Sequence, residues 1–140
     1  MALNINGTTG ISGVDGSASA PAVTGTDSNT GINFGSDTVN INTGGTTRAT
    51  VDSSGRLLLG TTTEGEVSSD DLTIATAAHT GMTIRSGSSH DGTINFSDGT
   101  SGADEYRGWL QYNHTNNAMI IGTDAAERVR IYSNGDMSFG

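Results

Sequence analysis

Apart from tyrosine, the side chains able to do acid, base or metal chemistry in this 140-residue sequence are 15 Asp and Glu, three His and six Arg; there is no Cys and no Lys. The acids cluster as Glu64/Glu66, Asp70/Asp71 and Asp104/Glu105. Each pair lies in a polar stretch, where carboxylates stay hydrated and lack the rigid groove that a glycan-cleaving pair needs. No G-x-S-x-G, H-E-x-x-H or phosphate-binding glycine loop is present, so an enzyme is not expected. His79, His90 and His114 are too widely spaced for a metal motif. Copies of one His brought together on a threefold axis could hold an ion, but each reads more simply as a turn residue. Asp27-Ser-Asn-Thr-Gly31 begins like a calcium loop but has no third ligand before its Gly and no closing Glu at the right distance, which leaves a turn. No metal or other cofactor is expected.

Arg48 and Arg128 are candidates to pair with a carboxylate or strand-end carbonyl. Their alternative role, binding an anionic surface glycan, is opposed by a net charge of -9, which also argues against a nucleic-acid partner. Trp109, Tyr112 and His114, flanked by Asn113 and Asn116, are candidates for stacking on a surface glycan; the competing reading is a packed aromatic belt. Trp109 and Tyr112 are an odd number of residues apart, so one strand cannot present both on one face.

The elements that must carry these residues are poor in core-forming side chains. Gly and Thr number 21 each, Ser 16 and Asn 11, while Leu, Ile, Val and Phe together reach 25. That share falls below the roughly 20 % at which composition begins to suggest disorder. No apolar run approaches the roughly 18 residues of a membrane-spanning helix, and Met1-Ala-Leu-Asn-Ile lacks the basic start and apolar stretch of a signal peptide, so synthesis in a cytoplasm without membrane insertion is expected.

An internal repeat argues for a shared core rather than disorder. Residues 31–60 align without gaps on 111–140 at an offset of 80, with identities at Asn33/Asn113, Ile41/Ile121, Thr43/Thr123, Arg48/Arg128, Ser53/Ser133, Gly55/Gly135 and Gly60/Gly140. Apolar character persists where identity does not: Val39/Met119, Val51/Ile131, Leu57/Met137, Leu59/Phe139. Within each copy these residues alternate with polar ones, the period of a strand with one buried and one wet face. Thr43-Gly-Gly-Thr, Ser53-Ser-Gly and Ser133-Asn-Gly supply tight turns. Between the copies, Leu72-Thr-Ile74, Met82-Thr-Ile84 and Ile94-Asn-Phe96 are further alternating pulses.

The fold class expected is therefore all-β: short-stranded repeat modules in an elongated, intertwined β-prism or β-helix-like fibre whose core is divided among chains. Three chains are the natural guess, a number the sequence does not dictate. The candidate trimer core is Val39, Ile41, Val51, Leu57 and Leu59 with Met119, Ile121, Ile131, Met137 and Phe139. Residues 1–30 read as an extended attachment arm, anchored by Leu3, Ile5, Ile11 and Val14, followed by a first β module (31–60), an acidic linker (61–71) and a second module (72–140).

Glu127-Arg-Val-Arg-Ile-Tyr-Ser-Asn-Gly-Asp-Met-Ser-Phe-Gly140 resembles the E-R-x-R-I-x-S-x-G-x-x-x-x-G module of tailed-bacteriophage tail-fibre proteins of the marine and cyanobacterial phage type. Gly81-Met-Thr-Ile-Arg-Ser-Gly through Phe96-Ser-Asp, then Gly108-Trp-Leu-Gln-Tyr-Asn-His-Thr-Asn-Asn117, is similar to the segment that precedes it. The first copy departs from the motif, with Thr47 for the Glu and Thr50 for the second Arg. The resemblance implies a homotrimeric fibre shaft, often followed by a self-removing intramolecular chaperone. It also implies a non-enzymatic virion protein, attached through residues 1–30 to tail or capsid and serving host-surface adhesion. A capsid decoration protein or head fibre is the alternative, and a glycan-degrading tailspike a further one.

Overall fold

A computed structural model describes residues 4–6 and 10–140. Among them the regular elements are β-strands and a single 3-10 turn at Gly102–Tyr106, and the sheets are open, so the chain is all-β without a closed barrel. It divides into two compact units, residues 1–81 and 82–140.

In the first unit, β1 (Asn4–Asn6) pairs antiparallel with β2 (Gly10–Ser12), setting Ile5 opposite Ile11. β3 (Gly16–Ser17) and β4 (Ala20–Pro21) form a minimal hairpin. The main sheet is an antiparallel meander of β5 (Val23–Thr24), β6 (Gly31–Gly35), β7 (Thr38–Thr43), β8 (Thr46–Val51) and β9 (Leu57–Leu59). β10 (Leu72–Ile74) then adds in parallel on the outer edge of β9. The second unit is a five-stranded antiparallel meander: β11 (Asp91–Phe96), β12 (Gly108–Asn113), β13 (Ala118–Thr123), β14 (Ala126–Ile131) and β15 (Met137–Phe139).

The 80-residue repeat is structural in its last three strands. β7, β8 and β9 recur residue for residue as β13, β14 and β15, including a bulge at Ile41/Asn42 and again at Ile121/Gly122. Gly60 N–H donates to the Arg48 carbonyl at 2.9 Å, and Gly140 N–H to that of Arg128 at 3.1 Å. The turn after the bulge needs two successive left-handed residues: Gly44 and Gly45 (φ 57° and 71°) in the first copy, Asp124 and Ala125 (φ 53° and 54°) in the second. The first strand departs from the ungapped alignment. Asn33 faces Asn40, whereas Asn113 faces Ala118, so Gln111, opposite Ile120, takes the place of Asn33. The second hairpin loop is two residues longer, and a shift of two leaves every side chain on its original face.

Two boundaries differ from the sequence expectation. Residues 72–74 belong with the first unit, because Leu57 N–H donates to the Asp71 carbonyl and Ala75 N–H to that of Leu59, at 2.8 and 3.0 Å. The later part of the expected arm packs on its own module. β5 is a strand of the main sheet, Phe34 N–H donates to the Asp15 carbonyl at 2.8 Å, and Pro21 is buried. Leu3 lies outside the described residues.

Candidate functional site

Strand register places most of the apolar side chains of each unit on one face of its sheet. In the first unit a row runs Val23, Ile32, Ile41, Ala49, Leu59, Ile74, each directly opposite the next, and a second runs Phe34, Val39, Val51, Leu57, Leu72. In the second unit the rows are Ile94, Leu110, Ile121, Val129, Phe139 and Gly92, Tyr112, Met119, Ile131, Met137. All ten residues expected in the shared core lie in these four rows. Neither pair of rows contains a charged side chain.

These rows are only partly covered within the chain. Ile41 is 51 % exposed, Leu72 50 %, Met137 55 % and Phe139 76 %. Among the described residues three hydrophobic side chains are buried, Leu58, Ala118 and Ile120, against twenty large hydrophobic residues that are exposed. In the first unit the face expected to be wet is the covered one. Asn33, Asn42 and Thr50 are buried and hydrogen-bonded: Asn42 Nδ2 donates to Asn33 Oδ1 (2.8 Å), Thr47 Oγ1 to Asn42 Oδ1 (2.9 Å), and Thr50 Oγ1 to Asn40 Oδ1 (2.8 Å). An amide can be buried only with its partners supplied, and this ladder supplies them.

On the matching face of the second unit Gly122 replaces Asn42. The Trp109 ring occupies the space above it, with its carbons 2.2–2.4 Å from where a Cβ on Gly122 would stand. Glu127 and Arg130 replace the two threonines and form a two-pronged ion pair, Nε to Oε1 at 2.8 Å and Nη2 to Oε2 at 2.6 Å. That hydrogen bonding holds the Glu127 carboxyl below its ordinary value against the opposing effect of burial.

The three residues expected to contact a glycan do not converge. Trp109 stands opposite Gly122 and meets Tyr106 edge-on, with ring centroids 6.2 Å apart. Tyr112 is on the apolar face, edge-on to His114 at 4.9 Å. Tyr112 and His114 line a hollow of about 300 Å³ whose other walls include Met82, Ile84, Ile94, Leu110 and Met119.

Charge is gathered at turns. Arg56 bridges Asp52 (2.7 Å) and Asp70 (2.8 Å), tying the β8–β9 turn to the chain entering β10. Burial pushes the Asp52 carboxyl up, but hydrogen bonds from the Arg56 and Ser54 main chain and from the Arg56 guanidinium outweigh it, leaving a lowered pKa. Sequence reasoning missed this cluster, whose signal was a lone Arg between Asp52 and the acidic stretch 64–71. Arg107 reaches Asp98, Asp104 and Asp124, and the Asp104 charge is the largest cause of its raised pKa. Arg48 Nε donates to Thr43 Oγ1 at 2.9 Å, a contact within its own hairpin. Among the described residues no three His, Asp or Glu are grouped to hold a metal, and no helix is long and apolar enough to cross a membrane. No protein-family model, curated protein or solved structure matches the chain.

Proposed function

We propose that this chain is a structural module of a virion fibre, in which three copies bring their apolar sheet faces together to form the core that one copy lacks. The observation that carries the reading is the uncharged apolar face, repeated in the same register in both units. Completing the burial of each half-exposed Ile, Leu or Phe contributes on the order of 1 kcal/mol, so eleven or more such residues per chain supply ample driving force. A face with no charge fits an apolar partner, and a second copy offers the same face. The likeness of residues 127–140 to tail-fibre shaft modules supports the placement on a virion. Adhesion would then be mechanical and multivalent, with weak contacts multiplied by copy number.

Attachment to other virion proteins falls to the start of the chain, where Val14 is 37 % exposed. Removing residues 1–12 spares β3 to β10, so the truncated protein should still assemble with itself and fail to join particles. Incorporation of the truncated protein would refute the attachment role. Electron microscopy of gold-labelled protein on particles should find it on the tail. Label on the shell would favour a head fibre or decoration protein, and release of reducing ends from host polysaccharide would favour a tailspike.

A further inference from the structure

Main-chain pairing at β9 has no counterpart at its repeat equivalent, β15. The outer edge of β9 is filled by Leu72-Thr73-Ile74 in parallel register, Leu72 opposite Leu57, Thr73 opposite Leu58 and Ile74 opposite Leu59. On β15 the same positions are Met137, Ser138 and Phe139, and among the described residues no strand occupies that edge. Met137 and Phe139 are 55 % and 76 % exposed. An open, apolar strand edge is a template for another strand.

The same unit contains a segment with the opposite lack. Met82-Thr83-Ile84 repeats the apolar-Thr-apolar pattern of Leu72-Thr73-Ile74 ten residues later. Met82 and Ile84 are 60 % and 46 % exposed, and no main-chain group from Met82 to Arg85 has a backbone partner among the described residues. The segment lies beside β11, with Ile84 Cγ2 3.5 Å from where a Cβ on Gly92 would stand. β11 and β15 are opposite edges of the five-stranded sheet, about 19 Å apart at the usual strand spacing, so the segment cannot reach β15 of its own chain.

We infer that Met82–Ile84 of one copy adds in parallel to the β15 edge of the next, as Leu72–Ile74 adds to β9. This rests on the shared-core reading and specifies how the copies interlock. Met82 would face Met137, Thr83 face Ser138 and Ile84 face Phe139. By the bonds seen at β9, Met137 N–H would donate to the Gly81 carbonyl and Arg85 N–H to the Phe139 carbonyl. The contact is head to tail, since one copy gives its β11 side and receives at β15. Repeated with a rotation that closes, it links three copies into a ring.

The chain has no cysteine, which makes the test clean. Thr83 and Ser138 would lie on the polar face, so a T83C/S138C variant leaves the apolar rows intact. Treated with a short bis-maleimide, it should give covalently linked chains up to the full oligomer, well beyond either single variant. Native mass spectrometry of the same sample separates the two ideas. An oligomer whose double variant cross-links no better than T83C or S138C alone overturns strand exchange and leaves the shared core standing. A monomer overturns both. As a second variant, Arg85→Pro removes a required donor and should weaken assembly at least tenfold, and unchanged assembly would also overturn the inference.

Discussion

Ala125 occupies a backbone position that its own repeat assigns to glycine. Its φ of 54° is left-handed, where a Cβ costs roughly 1–2 kcal/mol, and the equivalent Gly45 avoids that cost. Ala125→Gly should therefore raise stability by about 0.5 kcal/mol after the added unfolded-state entropy is subtracted. Gly45→Ala, with its nearest neighbour an unstrained 3.8 Å away, should lower stability by about 1 kcal/mol in a denaturant melt. The carboxylates give a second residue-scale prediction. Asp52 and Glu127 titrate below their ordinary values of 3.8 and 4.5 in the folded chain, so the stability they contribute is present above those values and lost as pH falls through the folded ones. Melting temperature should drop as pH is lowered below about 4.5, and Asp52→Asn with Glu127→Gln should flatten the fall. Their partners Arg56 and Arg130 have raised pKa values and stay charged throughout that window.

At the level of strands, Gly122 lies beneath the Trp109 ring with no room for a side chain. Any side chain there must displace the indole, so Gly122→Val should cost about 1–3 kcal/mol by overpacking. Urea unfolding followed by Trp109 fluorescence reads it directly, since this is the only tryptophan. Alternation in Val39-Asn40-Ile41 and Met137-Ser138-Phe139 made the strands and their apolar face legible, and the offset of 80 carried the pattern of one copy onto the other, though not the bulge they share. Two further features were not legible. Period two says which residues share a face but not which face the chain itself covers, and Asn33, Asn42 and Thr50 are the covered ones because their side chains satisfy one another. The two-residue shift of β12 was hidden by the coincidental identity of Asn33 and Asn113, since loop length is fixed by turn geometry rather than by the apolar pattern. The separation of Trp109 from Tyr112 followed from their odd spacing.

For the whole molecule, composition sets the problem: 25 Leu, Ile, Val and Phe residues in 140, most of them displayed on one face of each sheet. Two such faces with no charge are stable in water only when covered, and large exposed apolar patches are rare on monomers. Ile41→Asp with Ile121→Asp discriminates sharply, because both side chains are at least 40 % exposed in a single chain and would tolerate a charge there. In the shared core the same substitutions bury unpaired carboxylates and should dissociate the copies, while Ser133→Asp in an exposed turn should not. The most direct measurement is the native mass of the purified protein at micromolar concentration. The shared-core account predicts three chains of 14.2 kDa in one particle. A cooperatively melting single chain would contradict it.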